Sequence, residues 1–171
     1  MEKEKTIQVL NRLIAINNER IEIYETAIKE ATDQDLKTLF TQCRATSQKC
    51  KLELISEVIK LGGKIAEDAI PFGKSFYVWM NILKTALKDN NRKDILKSCE
   101  YGDDIAIDTY FKALRNNMKD ITAEQQMVIN AQHISIKDDY SKIKSMRDAL
   151  AYTRINHGIP PPQSTVKHSW F

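Results

Sequence analysis

The sequence predicts an all-α protein: a four-helix bundle of two related helical hairpins, joined by a crossover that contains a short fifth helix. Three observations predict it. The 171 residues include only five glycines and four prolines, so the chain has few places to turn and long helices are favoured over many short strands. Apolar residues recur at alternating spacings of three and four along most of the chain, the period of a helix with one buried face. Two stretches, Asn17 to Tyr24 and Asp103 to Tyr110, look like one helical element used twice. Aligned on their tyrosines, Ile21 matches Ile107, Ala27 matches Ala113, Leu10 matches Leu96, and Asn17 falls on Asp103.

The first helix is expected from about Lys3 to Ala31, with Leu10, Ile14, Asn17, Ile21, Tyr24 and Ile28 in one stripe. Thr32-Asp33 breaks the pattern, and Asp33 can cap a second helix. That helix carries Leu36, Phe40, Cys43, Ser47, Cys50, Leu54 and Val58 or Leu61 on one face, and Gly62-Gly63 ends it with a left-handed cap. At 1.5 Å per residue both helices would be about 45 Å long, and so short a loop leaves them antiparallel neighbours. Residues 63–71 read as irregular. A shorter crossover helix over about 72–88 holds Phe72, Phe76, Tyr77, Trp79, Met80, Leu83 and Leu87. Asp89-Asn90-Asn91 interrupts, and Asn91 can cap a helix running to about Asn116. Thr122 and Gln125 form a capping box that opens the last long helix, to roughly Tyr152 or Ile155. Its stripe is Val128 or Ile129, His133, Ile136, Tyr140, Ile143, Met146 or Arg147, and Leu150. Residues 1–156 thus form the bundle. Residues 157–171, with Pro160-Pro161-Pro162 and a terminal Trp170-Phe171, form a Pro-rich tail expected to be extended.

A chain of this length can make one well-buried core. Its 26 basic and 23 acidic residues are interspersed, which describes the solvated outer faces of helices rather than a nucleic-acid patch. Glu19, Glu22 and Glu25, near Arg20 and Lys29, read as such a face. The N-terminus lacks an apolar signal region, and no uncharged run approaches the roughly 20 residues of a membrane span. Three cysteines, Cys43, Cys50 and Cys99, are an odd number without CxxC spacing, which points to buried free thiols in a reducing compartment. A cytoplasmic location is expected, with neither nucleic acid nor membrane as a partner. There is no Ser/His/Asp or Cys/His order to support nucleophilic catalysis and no Gly-rich phosphate loop.

In order along the chain, LNRLIAINNERIEIYETAIKEA, DLKTLF, LGG, WMNILKTAL, ILKSCEYGDD and IKDDYSKIKSMRDAL resemble an uncharacterised bacterial ferritin-like family. The family is a domain of unknown function, loosely linked to stress responses, and the resemblance covers about residues 6 to 150. It implies a ferritin-like four-helix bundle, distantly similar to rubrerythrin-type bundles, and no activity.

A di-iron carboxylate bundle takes one Glu from each of two helices and a Glu-x-x-His from each of the other two. By likeness to rubrerythrin-type bundles, those positions fall on Asn17, Ser47 and Cys50 in the first hairpin, and on Asp103 and near Lys137 and Tyr140 in the second. Only Asp103 is a carboxylate there and neither imidazole survives, so neither a cofactor nor a classical di-iron centre is expected. A remodelled site for iron or another metal could be sought around Asp103, Cys50, His133 and Tyr140, or in a soft pair of Cys43 and Cys50. The ordinary readings are a hydrogen-bonded histidine and two thiols filling a core stripe. Asn17, Ser47, Asp103 and Tyr140 are expected to meet in mid-bundle. They form either a small ligand cavity or a hydrogen-bonded network that fixes helix register, in which Asp103→Ala costs on the order of 1–3 kcal/mol. The aromatics of 72–80 either cap the bundle or, with Trp170-Phe171, mediate a homo-oligomer. The leading reading is a non-catalytic protein acting through structure or partners. The alternatives are a metal-dependent oxidoreductase or storage protein and a small-ligand binder.

Overall fold

In a computed structural model of the chain, residues 2–65 and 72–156 are described, with side chains for 3–65 and 72–151. The described residues contain five α-helices and no strand: α1 (Glu2–Glu30), α2 (Gln34–Lys60), α3 (Lys74–Lys88), α4 (Arg92–Asn116) and α5 (Ala123–Asn156). A single 3₁₀ turn at Met118–Asp120 joins the last two. The expected tail, 157–171, lies outside the described residues, as do residues 66–71 of the irregular segment.

Local chemistry sets these boundaries. Asp33 is the N-cap of α2 but makes no side-chain cap bond; its carboxylate is instead 3.0 Å from Arg92 at the start of α4. Arg92 also pairs with Asp35, so one guanidinium ties the α1–α2 turn to the second hairpin. At the other end of α2, Gly62 takes φ 71°, its N–H donates to Ile59 O and the Gly63 N–H donates to Val58 O. Those two bonds make a Schellman motif, which a left-handed residue without a Cβ closes at least cost. Asn91 accepts from the Asp94 N–H at 3.1 Å, and Thr122 and Gln125 bond each other's backbone N–H groups, as their spacing predicts. The Gly73 N–H, at the start of α3, donates to the Glu19 carboxylate at 3.0 Å, an anion held at a helix N-terminus.

Paired contacts fix the directions. Tyr24 meets Phe40 and Arg20 meets Ser47, so α1 and α2 are antiparallel. Tyr110 meets Gln132 and Glu100 meets Arg147, so α4 and α5 are antiparallel as well. Asn17 bonds Tyr110 while Tyr24 bonds Asp103, which makes α1 antiparallel to α4. It follows that α2 and α4 run the same way, and the segment holding α3 must carry the chain back along the bundle. α3 packs on α4 and α1, outside the four long helices.

The interior is divided. One apolar cluster holds Tyr24, Phe40, Trp79, Leu83, Leu96 and Ile143, and the other holds Leu10, Leu54, Val58, Tyr110, Ile129 and Ile136. Phe76 and Trp79 point inward from α3, so most of its surplus aromatic area is core; Tyr77, Val78 and Ile82 remain exposed. Between the two clusters lies a layer of fully buried polar side chains.

Candidate functional site: the polar layer at mid-bundle

Arg20 is the centre of this layer and is wholly buried. Its Nε donates to Asp103 Oδ1 at 3.0 Å, its Nη1 to Ser47 Oγ at 2.5 Å and its Nη2 to Asp139 Oδ2 at 3.4 Å. One side chain of α1 therefore reaches α2, α4 and α5 at once, which the planar fork of a guanidinium permits and an ammonium does not. The guanidinium also lies 5.2 Å from the centre of the Tyr24 ring.

The two repeated elements cross-bond. The Tyr24 hydroxyl donates to Asp103 Oδ1 at 3.0 Å, and the Asn17 amide donates to the Tyr110 hydroxyl at 2.7 Å. Each repeat's tyrosine thus meets the other repeat's polar residue, the pairing expected of two hairpins related by an approximate two-fold. The Tyr110 hydroxyl donates to Gln132 Oε1 at 2.8 Å, and Gln132 in turn donates to the Cys50 carbonyl and to Glu53.

Of the predicted site residues, Asn17, Ser47 and Asp103 lie in this layer, and Cys50 joins it through its carbonyl. His133 does not approach Arg20. Its ring stacks on Tyr110, with centroids 6.2 Å apart and planes within 5°, and burial holds its pKa below the usual value. Tyr140 lies to one side, beside Asp104 and Glu100 of α4, where burial and those carboxylates raise its pKa. His133 and Tyr140 are buried as expected, but the α5 side chains that enter the layer are Gln132 and Asp139, each one residue earlier. Sequence reasoning also placed Arg20 on a solvated face, which its complete burial corrects. The signal was present: Arg20 lies three residues after Asn17 and four before Tyr24, on the same stripe.

The electrostatics are unusual in sign. One guanidinium faces two buried carboxylates, Asp103 and Asp139. Burial works against the charge of Arg20, but Asp103 in particular overcomes it and the guanidinium is held well above its usual range. For Asp103 and Asp139 burial outweighs the attraction of Arg20, so both carboxyls bind protons more tightly than in the unfolded chain. A folded state that holds more protons than the unfolded one loses stability as pH rises. Their contribution is therefore fully present below the ordinary aspartate range near 4 and fades as pH climbs through the raised values. Comparing melting temperatures between pH 4.5 and 8 for the natural chain and Asp139→Asn should show a smaller decline with rising pH in the variant. Parallel profiles would remove Asp139 from this account.

Burial also pushes the thiols up, that of Cys50 to about 11 and those of Cys43 and Cys99 further. All three stay protonated and poorly nucleophilic near neutrality. Among the described residues no group of three or more His, Cys, Asp or Glu side chains is placed to hold a metal ion. The positions that the resemblance assigns to iron do not supply a di-iron donor set either. Asn17 spends its amide on Tyr110, Ser47 and Asp103 face a guanidinium, and Tyr140 is elsewhere. A cation already sits at the centre, and it belongs to the chain. Asp103 Oδ2 and Asn17 Oδ1 are buried acceptors without a protein donor.

Residues 5–116 match a family described as a domain of unknown function (DUF2383), and the chain belongs to that family. The matched span ends with α4, so it includes Arg20 and Asp103 but not Asp139. No curated protein matches the chain.

Proposed function

We propose that this member of the family is a ferritin-like four-helix bundle whose inner metal centre has given way to a salt-bridged polar layer. On this reading it works without catalysis, through its structure and its outer surfaces, in the cytoplasm and in the stress setting that the resemblance implies. The observation that carries the reading is the Arg20 guanidinium, bonded at mid-bundle to side chains of the three other long helices. A buried cation there repels a metal ion and takes up the oxygens that would bind one. The opposite direction of α1 and α4, and the crossover that it requires, support the ferritin-like topology. A polar layer between two apolar clusters also fixes the register of four long helices, because a shift by one turn would leave Arg20 facing hydrocarbon.

Two buried acceptors without donors, Asp103 Oδ2 and Asn17 Oδ1, favour the second reading, a remodelled site for a small cation or ligand. Elemental analysis by plasma mass spectrometry decides between them. Untagged protein from iron-, zinc- and manganese-supplemented medium should carry metal far below one equivalent. Near-stoichiometric metal, lost in Asp103→Ala, would make this a divergent metalloprotein instead.

A further inference from the structure

We propose that the outer face of α3 is a docking surface for an anionic membrane surface. This rests on the reading that the protein acts through its exterior, and it names the partner.

α3 carries charge of one sign only. Its 15 residues include Lys74, Lys84 and Lys88 and no Asp or Glu, whereas acids and bases nearly balance over the whole sequence. All three lysines are exposed, and none is in an ion pair with another described residue. The same exposed side carries Tyr77, Val78 and Ile82, which are 57%, 46% and 42% accessible. Val78 and Ile82 are four apart and share a face; Tyr77 and Lys84, then Lys88, follow on the adjoining stripe. Among the described residues the nearby acids are Glu19, whose carboxylate accepts from the Gly73 N–H at the start of the helix, Glu30, which shares a hollow with Lys84, Leu87 and Lys88, and Asp89 just past the helix end.

The helix is anchored from behind. Phe76, Trp79, Leu83 and Ala86 are buried against the bundle, so the exposed apolar residues are not there to hold α3 in place. α3 lies outside the four long helices and packs chiefly on α4 and α1, which makes it a ridge. A ridge offers no groove to a partner helix, but it can settle into a flat, deformable surface. Val78, Ile82 and the Tyr77 ring would enter the headgroup boundary, where tyrosine is at home, while lysine stems lie along it and their ammonium groups meet anionic headgroups. Charge also argues against a second copy of the chain as the occupant. A two-fold contact sets the same patch against itself, and it would bring six lysines together with no acid from either α3. This departs from the expectation of no membrane partner, which rested on the lack of an apolar run long enough to span a bilayer and did not address a helix lying on its surface.

The test is flotation of the full chain with extruded vesicles of phosphatidylcholine alone or with about a third phosphatidylglycerol, at low and high salt. The chain should float with the anionic vesicles only, and salt should weaken it. Each lysine near such a surface is worth on the order of fivefold in partitioning, so Lys74→Gln/Lys84→Gln/Lys88→Gln should lose roughly a hundredfold. Tyr77→Ser/Val78→Ser/Ile82→Ser should lose most binding while melting as the natural chain does. Three results would overturn the proposal: no flotation with anionic vesicles, equal flotation with both kinds, or flotation unchanged in both triple variants. Light scattering of the free protein adds a fourth, a dimer that the apolar triple variant dissociates. Metal content is unaffected by any of these outcomes, so this proposal and the reading of the polar layer fail separately.

Discussion

Replacing Arg20 by Met is expected to destabilise the protein by about 3–5 kcal/mol, the usual cost of removing one partner from a buried ion cluster. For a chain of this size that is a fall of about 10 °C in melting temperature. The size follows from what stays behind. Asp103 and Asp139 would remain buried without their cation, and Ser47 would lose its donor. Lysine is a poor substitute. It keeps the charge but has no rigid fork to reach Asp103, Ser47 and Asp139 together, so Arg20→Lys should fall between the two. The decisive control removes the stranded charges as well. Arg20→Met/Asp103→Asn/Asp139→Asn should recover more than half of the loss, because the penalty is uncompensated charge rather than lost volume. Urea titration reads all three variants. A single Arg20→Met variant within about 1 kcal/mol of the natural chain would mean that water, or a relaxed helix pair, already solvates the two carboxylates.

The fold was legible where local chemistry decides it. The Asn91 cap, the Thr122–Gln125 box and the Gly62-Gly63 stop each need only a few neighbouring residues, and all lie where their spacing put them. The α2 stripe was also readable, since Leu36, Phe40, Cys43, Ser47, Cys50, Leu54 and Val58 are all buried. The centre of the site was harder for a physical reason. An apolar periodicity finds inward positions by their hydrophobicity, and the layer is built from the side chains that such a pattern excludes. On α5 the expected stripe residues His133 and Tyr140 are buried, but the side chains that enter the layer are their polar neighbours Gln132 and Asp139, each one position earlier. Arg20 was hidden by composition: glutamates on either side make it resemble an exposed charge run. What revealed it was the geometry of three partner helices, which no single helix encodes. The repeat itself was visible, yet its consequence was not, because Asn17–Tyr110 and Tyr24–Asp103 are contacts between the copies.

Gly102→Ala is expected to cost about 1–3 kcal/mol, the range for forcing extra volume into a packed core, although it adds a single methyl at a helical position where alanine is the better helix former. A Cβ on Gly102 would stand 1.9 Å from Trp79 Cε2 and 2.0 Å from Cδ2, well inside contact distance. The indole has little room to yield. Trp79 is 2% exposed and meets the Tyr24 ring edge-on at 6.0 Å. It is the side chain through which α3 grips α4, so the clash would be felt as a displacement of the whole crossover helix. Trp79→Ala should cost more, about 3–5 kcal/mol, by opening a cavity between α3 and the bundle. The two changes should not add. In Trp79→Leu/Gly102→Ala the smaller side chain leaves space for the new methyl, and the double variant should be more stable than the sum of its parts by roughly 1 kcal/mol or more. Additive losses in such a cycle would show that Gly102 is required for its backbone and not for the indole lying on it. A coupled result would identify Trp79 on Gly102 as the contact that holds α3 on the bundle, and with it the exposed lysines and apolar residues of its outer face.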